Sequence, residues 1–206
     1  MMRARAVAAA LAAASIAAAC RTGATAAPTD AGVAADPWPL VQVELAERVA
    51  LDQELRGTLL RGGEIDLEVA HRLEQVDAEN TAWARAIVER HGWPRVSDVG
   101  AGGAQDFWLL VQHADRDPAF QERCLALMQA AVAAGEASAT DFAYLTDRVR
   151  THQGRAQVYG TQFQRTERGL EPFPIEDPER VDERRASVGL GPLAEYAAQL
   201  GALQGG

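Results

Sequence analysis

Apolar residues recur every three or four positions over most of this chain, which is the spacing of amphipathic helices. The pattern predicts a first helix over residues 40–60 and a second over residues 66–90. Gly62 and Gly63 separate the two, and the second helix should end before Pro94, because proline cannot continue a helix.

Charged and amide side chains interrupt the apolar faces of both helices. Asp52 and Arg56 fall in the middle of the first face, four residues apart, so their side chains can touch. Asn80 lies in the second face, with Asp77 at its edge. Since desolvation offsets most of the attraction within a buried ion pair, the pattern indicates either a structural salt bridge or a polar pocket.

The stretch of residues 107–121 combines an apolar run with polar side chains. Five apolar residues open it and Gln112 and His113 follow directly, which predicts a surrounded helix over residues 104–114. Polar groups carried into the interior need partners, because an unpaired buried polar group costs roughly 1–3 kcal/mol. The stretch is therefore either a hydrogen-bonded structural centre or a functional site.

A glycine-rich segment, residues 97–103, precedes that helix. It lacks the GxxxxGKS or GxxxxGKT spacing of a phosphate-binding loop, and it follows a helix rather than a strand. We therefore expect a tight connection here, with phosphate binding as the alternative.

Capping signals mark two later helices. Asp117 and Pro118 have the residue types of an N-cap and of the first helical position, so they predict a fourth helix that ends near Gly135. Ser138 opens a fifth helix in the same manner, which should reach about Arg150.

The last quarter of the chain changes character. Residues 156–175 have a β-like composition, which predicts a small hairpin-like element. Asp177 and Pro178 repeat the capping signal for a helix that runs to Val188. A last short helix should follow Pro192.

The length and the hydrophobic content of the chain are those of a globular protein. The chain has 206 residues, of which 48% are hydrophobic, and this is enough to build one real core. Together with the helical pattern, they predict a mainly α fold class: a single globular helical domain over residues 38–202. It should contain about six or seven helices and the β-hairpin-like element near residues 156–175.

The charge of the chain limits its partners. The formal net charge is −9, and all 20 basic residues are arginine, as is typical of a GC-rich genome. Nucleic acid is excluded as a partner, because its phosphates need a basic protein face.

The N-terminus has the pattern of an export signal. Two arginines precede an alanine-rich apolar stretch, residues 6–19, that is too short to span a bilayer comfortably. Small residues directly before Cys20 resemble the lipobox of bacterial lipoproteins. We therefore expect a signal peptide over residues 1–19, a lipidated, flexible tether over residues 20–37 and a membrane-anchored protein that faces the periplasm or cell exterior. The alternative is ordinary cleavage that leaves a soluble secreted protein.

His113 is the candidate for acid–base chemistry, because it is the only histidine inside an apolar segment. Asp52 or Asp147 would orient its ring. The alternative is a hydrogen-bonded core histidine without a catalytic role. No GxSxG, HExxH or CxxC motif occurs, so we expect neither a cofactor nor a metal.

Further polar residues are candidates for holding a substrate. They are arginines that can grip an anion and amides or hydroxyls near the apolar segments. The set is Gln53, Arg56, Gln112, Arg148, Tyr159, Thr161 and Gln162. Arg184 and Arg185 are also candidates for holding an anion, and the alternative for them is surface salt bridges, since acidic residues precede them.

An ordered set of short motifs carries a family resemblance. It resembles a family of uncharacterised bacterial domains of unknown function, over residues 45–196. The resemblance implies one coherent domain and names no activity. Its motifs here are DQxxR from Asp52, GWP from Gly92, QHAD from Gln112, DPxxQ from Asp117, DR from Asp147, YGTQ from Tyr159 and the final RR, GL and EY pairs that begin at Arg184, Gly189 and Glu195.

Three hypotheses of function follow from these residues. The first is an extracytoplasmic, hydrolase-like enzyme acting on a small or peptide-like anionic substrate. The second is a non-catalytic envelope module that binds a small molecule, a peptide or an envelope protein. The third is a buried polar network that only fixes the packing of the helices.

Overall fold

The structure, a computed structural model, describes residues 36–61, 66–167 and 169–204. The expected signal peptide, Cys20 and the expected tether before residue 36 lie outside the described residues. Seven α-helices and one two-stranded antiparallel sheet form the described part, so the predicted mainly α fold is confirmed. The elements are α1 (Trp38–Arg61), α2 (Leu67–His91), α3 (Val96–Gln112), α4 (Pro118–Ala133), α5 (Ala139–His152), β1 (Phe163–Thr166), β2 (Gly169–Pro172), α6 (Val181–Ser187) and α7 (Leu193–Gln204).

Helix α3 lies at the centre of the fold. It contacts α1, α2, α4 and α5, and its residues Phe107, Leu110 and Val111 are buried. A segment that is apolar on most sides is stable only when other elements surround it, as the sequence predicted. No helix in the described ranges is both long enough and apolar enough to cross a membrane.

The capping side chains at the starts of α4 and α5 are confirmed. The Asp117 carboxylate accepts the Phe120 backbone N–H at 3.1 Å, and Pro118 occupies the first helical turn. The Ser138 hydroxyl accepts the Asp141 backbone N–H at 3.1 Å. Each bond satisfies an amide that the helix itself leaves without a partner.

The expectation of a loop over residues 97–103 is wrong. Helix α3 already begins at Val96, and a single kink at Gly100, with φ 72° and ψ 168°, interrupts it. The backbone N–H groups of Val96 and Ser97 donate to Glu136. These contacts, together with the burial of Val99, outweigh the helix-breaking tendency of the glycines.

The expectation that Asp177 caps a helix is also wrong. Its φ of 45° is left-handed, its side chain makes no capping bond, and a 3-10 turn at Pro178–Arg180 precedes α6. The guanidinium of Arg184 accounts for this conformation, because it donates to the Glu176 and Asp177 carbonyls and fixes their orientation. Aspartate is among the residues that tolerate left-handed backbone.

The segment from β1 to α7 packs as a small unit of hairpin and helices. Strands β1 and β2 pair in register from Phe163 opposite Pro172 to Thr166 opposite Gly169. Helix α7 contacts β2 and α6. The predicted hairpin near residues 156–175 is thereby confirmed.

Two glycines with the same backbone geometry test the packing of this segment. Gly154 and Gly160 have φ of 68° and 70°. A Cβ at Gly160 would lie 2.9 Å from Leu193 Cδ1 and 3.0 Å from Ile175 Cδ1, whereas a Cβ at Gly154 would meet nothing within 4 Å. Only Gly160 is closely approached by side chains.

Gly160→Ala should therefore destabilise the fold more than Gly154→Ala. Both substitutions incur the cost of left-handed backbone, about 1 kcal/mol or somewhat more. Gly160→Ala should lose about 1 kcal/mol more, because two apolar side chains must move. Urea denaturation of both variants measures the difference, and equal losses would contradict the packing.

Candidate functional site

The imidazole of His113 lies against the buried carboxylate of Asp52. Its Nδ1 is 3.1 Å from Asp52 Oδ1, and Asp52 has no exposed surface. Asp52 comes from the inner face of α1, and His113 follows the last residue of α3. When the neutral ring donates from Nδ1, its Nε2 is the acceptor and is able to take a proton.

Two more side chains hold the Asp52 carboxylate. Gln53 Nε2 donates to Oδ2 at 2.7 Å, and Arg56 Nε donates to Oδ1 at 3.1 Å. Burial alone would raise the pKa of Asp52, but the hydrogen bond and charge of His113, followed by Gln53 and Arg56, lower the pKa below its usual value. Asp52 is therefore ionised at neutral pH.

Arg56 connects this carboxylate to a second one on α2. Its Nη2 lies 2.5 Å from Asp77 Oδ1. Burial raises the pKa of Asp77, and the neighbouring Arg56 opposes that rise. One guanidinium thus joins α1 to α2 through two carboxylates, one fully buried and one half-buried.

Asp52, Asp77 and His113 are also close enough to share an ion. Each offers one ligand atom, and these atoms lie within 4.8 Å of one another. The guanidinium of Arg56 already forms ion pairs with both carboxylates from within the cluster. We therefore assign no metal to these residues.

A cavity of about 410 Å³ opens beside His113. One wall is a single face of α2, on which Ala78, Thr81 and Ala82 leave room. The other wall is the connection between α3 and α4. The charged lining residues are Glu74, Asp77, Arg85, Asp115, Arg116 and Asp117.

Asp147 lies in a different cluster. It is fully buried, and it accepts hydrogen bonds from the backbone N–H groups of Val158 and Tyr159 and from the N–H and hydroxyl of Thr161. Gln162 joins this cluster by donating to the Thr161 hydroxyl at 3.0 Å. Asp52, and not Asp147, is thus the carboxylate that orients His113.

The remaining predicted substrate-binding residues are held within the protein. Arg148 Nη1 donates to both carboxylate oxygens of Asp115, at 2.7 and 2.8 Å. Gln112 is buried, and its side-chain oxygen has no hydrogen-bond partner among the described residues. The structure therefore joins Asp52, Gln53, Arg56 and His113 in one hydrogen-bonded group, and in the described ranges the other predicted side chains make no hydrogen bond to it.

The alternative of a surface salt bridge is wrong for Arg185. Its side chain is buried, and it donates to the carbonyls of Tyr159 and Gly191 at 2.8 and 2.6 Å. Arg184 similarly donates to the Val158 carbonyl at 2.8 Å. Both arginines fix the loop that Asp147 holds, since buried carbonyls need donors.

Two cavity residues, Asp77 and Arg85, are not predicted as site residues from the sequence. Asp77 is placed only at the edge of an apolar stripe, and Arg85 is not predicted to have a role. The signal in the sequence is that both lie on one helical face, eight residues apart, with Ala78, Thr81 and Ala82 between them. Small residues on a helical face between two charges are typical of a wall that leaves space.

Comparison with known proteins gives a family without a known activity. The model of a family of unknown function, DUF6624, matches residues 39–205. No curated protein and no solved structure matches the chain. The match covers nearly all of the described residues, and the expected resemblance to a domain of unknown function is confirmed.

The hydrogen bonds of Asp52 lead to a pH-dependent stability. Because its pKa is lower in the folded protein, the Asp52 carboxylate stabilises the fold above the usual value of 3.8. That contribution is lost as the pH falls through the lowered pKa. Asp52→Asn should therefore lower the free energy of unfolding at pH 7 by about 1–3 kcal/mol. The deficit should shrink toward pH 2, as measured by urea denaturation.

Asp141→Asn is the matched control for that measurement. Burial raises the pKa of Asp141, so its contribution to stability changes with pH in the opposite direction. A deficit of Asp52→Asn that stays constant from pH 7 to pH 2 would contradict an ionised, paired Asp52.

Proposed function

Because this chain belongs to DUF6624, a family of unknown function, we propose its activity from the geometry of the site. The protein is a hydrolase-like enzyme, and His113 is its general base. The substrate is a small or peptide-like molecule that carries an anionic group.

One observation carries this proposal. The buried Asp52 carboxylate lies 3.1 Å from His113 Nδ1, and the same ring lines a cavity of about 410 Å³. A buried acid that fixes the tautomer of a histidine prepares the opposite ring nitrogen to accept a proton.

The reaction follows from the position of the ring. A water molecule in the cavity adds its oxygen to the carbonyl carbon of the substrate and gives its proton to Nε2 of His113. The bond between that carbon and the leaving group breaks, and the leaving group receives the proton from Nε2. The ion pair between Asp52 and the charged ring stabilises the intermediate state.

The anionic group of the substrate has two arginines available at the cavity. Arg56 and Arg148, two of the arginines expected from the sequence, are bound to carboxylates of the protein. Arg85 and Arg116 line the cavity, and each makes one ion pair there. A guanidinium has five N–H donors, so each keeps donors for a carboxylate.

The proposed place of action is outside the cytoplasm. A positively charged start, an apolar stretch over residues 6–19 and small residues before Cys20 support export, followed by attachment of lipid to Cys20. The substrates available to such a protein are those of the cell envelope.

Substitution of His113 tests the activity. We expect wild-type protein to hydrolyse members of a panel of p-nitrophenyl esters and amino-acyl p-nitroanilides whose acyl groups carry a free carboxylate. His113→Gln should lower kcat by about 100- to 10,000-fold, because the general base is lost. His71→Gln, which changes an exposed histidine on α2, is the matched control and should keep full activity.

Two outcomes would contradict the proposed activity. Full turnover by His113→Gln would remove His113 from the reaction. A panel that is bound but never hydrolysed would favour the non-catalytic binding module. Thermal denaturation of both variants ensures that a loss of activity is not a loss of the fold.

Substitution of Cys20 tests the location. Cells that express the full chain and grow on an alkyne-labelled fatty acid should label the wild-type protein and keep it in the membrane fraction. Cys20→Ala should lose the label, because the proposed site of lipid attachment is gone. Unlabelled, soluble wild-type protein would favour ordinary cleavage and secretion instead.

A further inference from the structure

The wall of the cavity carries opposite charges at its two ends. Asp77 and Arg85 lie on the same face of α2, eight residues apart. A helix rises 1.5 Å per residue, so their backbones are about 12 Å apart along the wall. Ala78, Thr81 and Ala82 lie between them, and their small side chains leave room for the cavity.

The Asp77 end suits a cation. Asp77 Oδ1 is bound to Arg56, and Arg56 is not among the cavity-lining residues. The other carboxylate oxygen, Oδ2, accepts no hydrogen bond within the described part of the chain. The carboxylate is half-buried and lines the cavity, so a ligand in the cavity can reach it. An ammonium group at this end would lie close to His113, whose ring nitrogen is within 4.8 Å of the Asp77 carboxylate.

The Arg85 end suits an anion. One nitrogen of Arg85, Nη2, pairs with Asp117, and the guanidinium carbon lies 5.0 Å from the centre of the Phe120 ring. Stacking on the ring orients the guanidinium and leaves its other N–H groups at the edge. Arg116, in contrast, pairs with Glu74 at 2.8 Å, and both of these side chains are mostly exposed.

The distance between the two ends sets the size of the ligand. An extended peptide spans at most about 3.3–3.6 Å per residue, so two or three residues cover about 7–11 Å. The side chains of Asp77 and Arg85 line the cavity and occupy part of this length. A cavity of about 410 Å³ is in the range of small-molecule sites.

We propose that the cavity binds an extended, zwitterionic peptide of two or three residues, with its ammonium group at Asp77 and its carboxylate at Arg85. This inference rests on the proposed hydrolytic site and names its substrate class. Because His113 adjoins the ammonium end, the bond that is cleaved is the first peptide bond. Water adds to the first carbonyl carbon, the C–N bond breaks, and the shortened peptide leaves as an amine that has taken up the proton.

Three probes of equal length test the inference on the wild-type protein. They are L-alanyl-L-alanine, its N-acetyl derivative and its C-terminal amide. Each probe is titrated into isotopically labelled wild-type protein and followed by NMR. The titrations are repeated with labelled His113→Gln protein, so that hydrolysis does not interfere. We expect the free dipeptide to bind ten- to hundredfold more tightly than either derivative, since each derivative loses one charge-assisted contact.

Paired variants locate the two ends. Asp77→Asn should lose the preference for the free amine over the N-acetyl form, and Glu74→Gln, the matched control, should keep it. Arg85→Gln should lose the preference for the free carboxylate over the amide. Arg123→Gln, which changes an exposed arginine on α4 outside the cavity, is the matched control and should keep it. Ratios of affinities within one variant are insensitive to a general loss of stability.

The outcomes separate this inference from the proposed function. Equal binding of all three probes, or no binding at millimolar concentration, would overturn the zwitterionic ligand. If the free dipeptide binds with the expected preference and is not hydrolysed by wild-type protein, the ligand class stands and the hydrolytic function falls. Hydrolysis of N-acetylated or ester substrates alone would leave the function intact and overturn the ligand class.

Discussion

The fold depends on the burial of one negative charge. Asp52 has no contact with solvent, and an isolated ionised carboxylate in such a place would be strongly unfavourable. The chain meets this requirement with His113 from the end of α3, with Gln53 beside it and with Arg56 one turn further along α1. Since Arg56 also reaches Asp77 on α2, the solvation of a single carboxylate fixes three helices relative to one another.

The two polar centres of the molecule differ in what they contact. The carboxylate of Asp52 is bound by side chains, one of which lines a cavity. The carboxylate of Asp147 is bound mostly by backbone amides of residues 158–161. It takes the place of water as the hydrogen-bond partner of that loop, and both of its oxygens are already bound. Both are buried aspartates, and only their partners distinguish a candidate site from a structural anchor.

Much of the fold could be read from the sequence, because periodicity and capping are local properties. The caps at Asp117 and Ser138 and the central position of α3 followed from such patterns. The kink at Gly100 and the left-handed Asp177 did not, because contacts with Glu136 and Arg184 decide them across the chain. Local propensity is regularly overridden by tertiary contacts of this kind.

The candidate site was predictable only in part, for the same reason. The i,i+4 spacing of Asp52 and Arg56 lies within one helix, so their contact could be foreseen. Which aspartate would meet His113 depends on the packing of α1 against α3, and no local pattern separates Asp52 from Asp147. The cavity lies between α2 and the connection from α3 to α4, which face each other only in the folded protein. The role of Asp77 and Arg85 as lining residues therefore could not be predicted from the sequence.

The way Arg56 makes its contacts restricts what evolution can place at that position. It binds Asp52 through Nε and Asp77 through Nη2, two nitrogens on different edges of one rigid plane. Lysine has the same charge but a single nitrogen at the end of a flexible chain, so it lacks the rigid fork that holds both carboxylates in one orientation. Exchange of arginine for lysine would therefore weaken the link between α1 and α2 at position 56, whereas exposed positions would tolerate it.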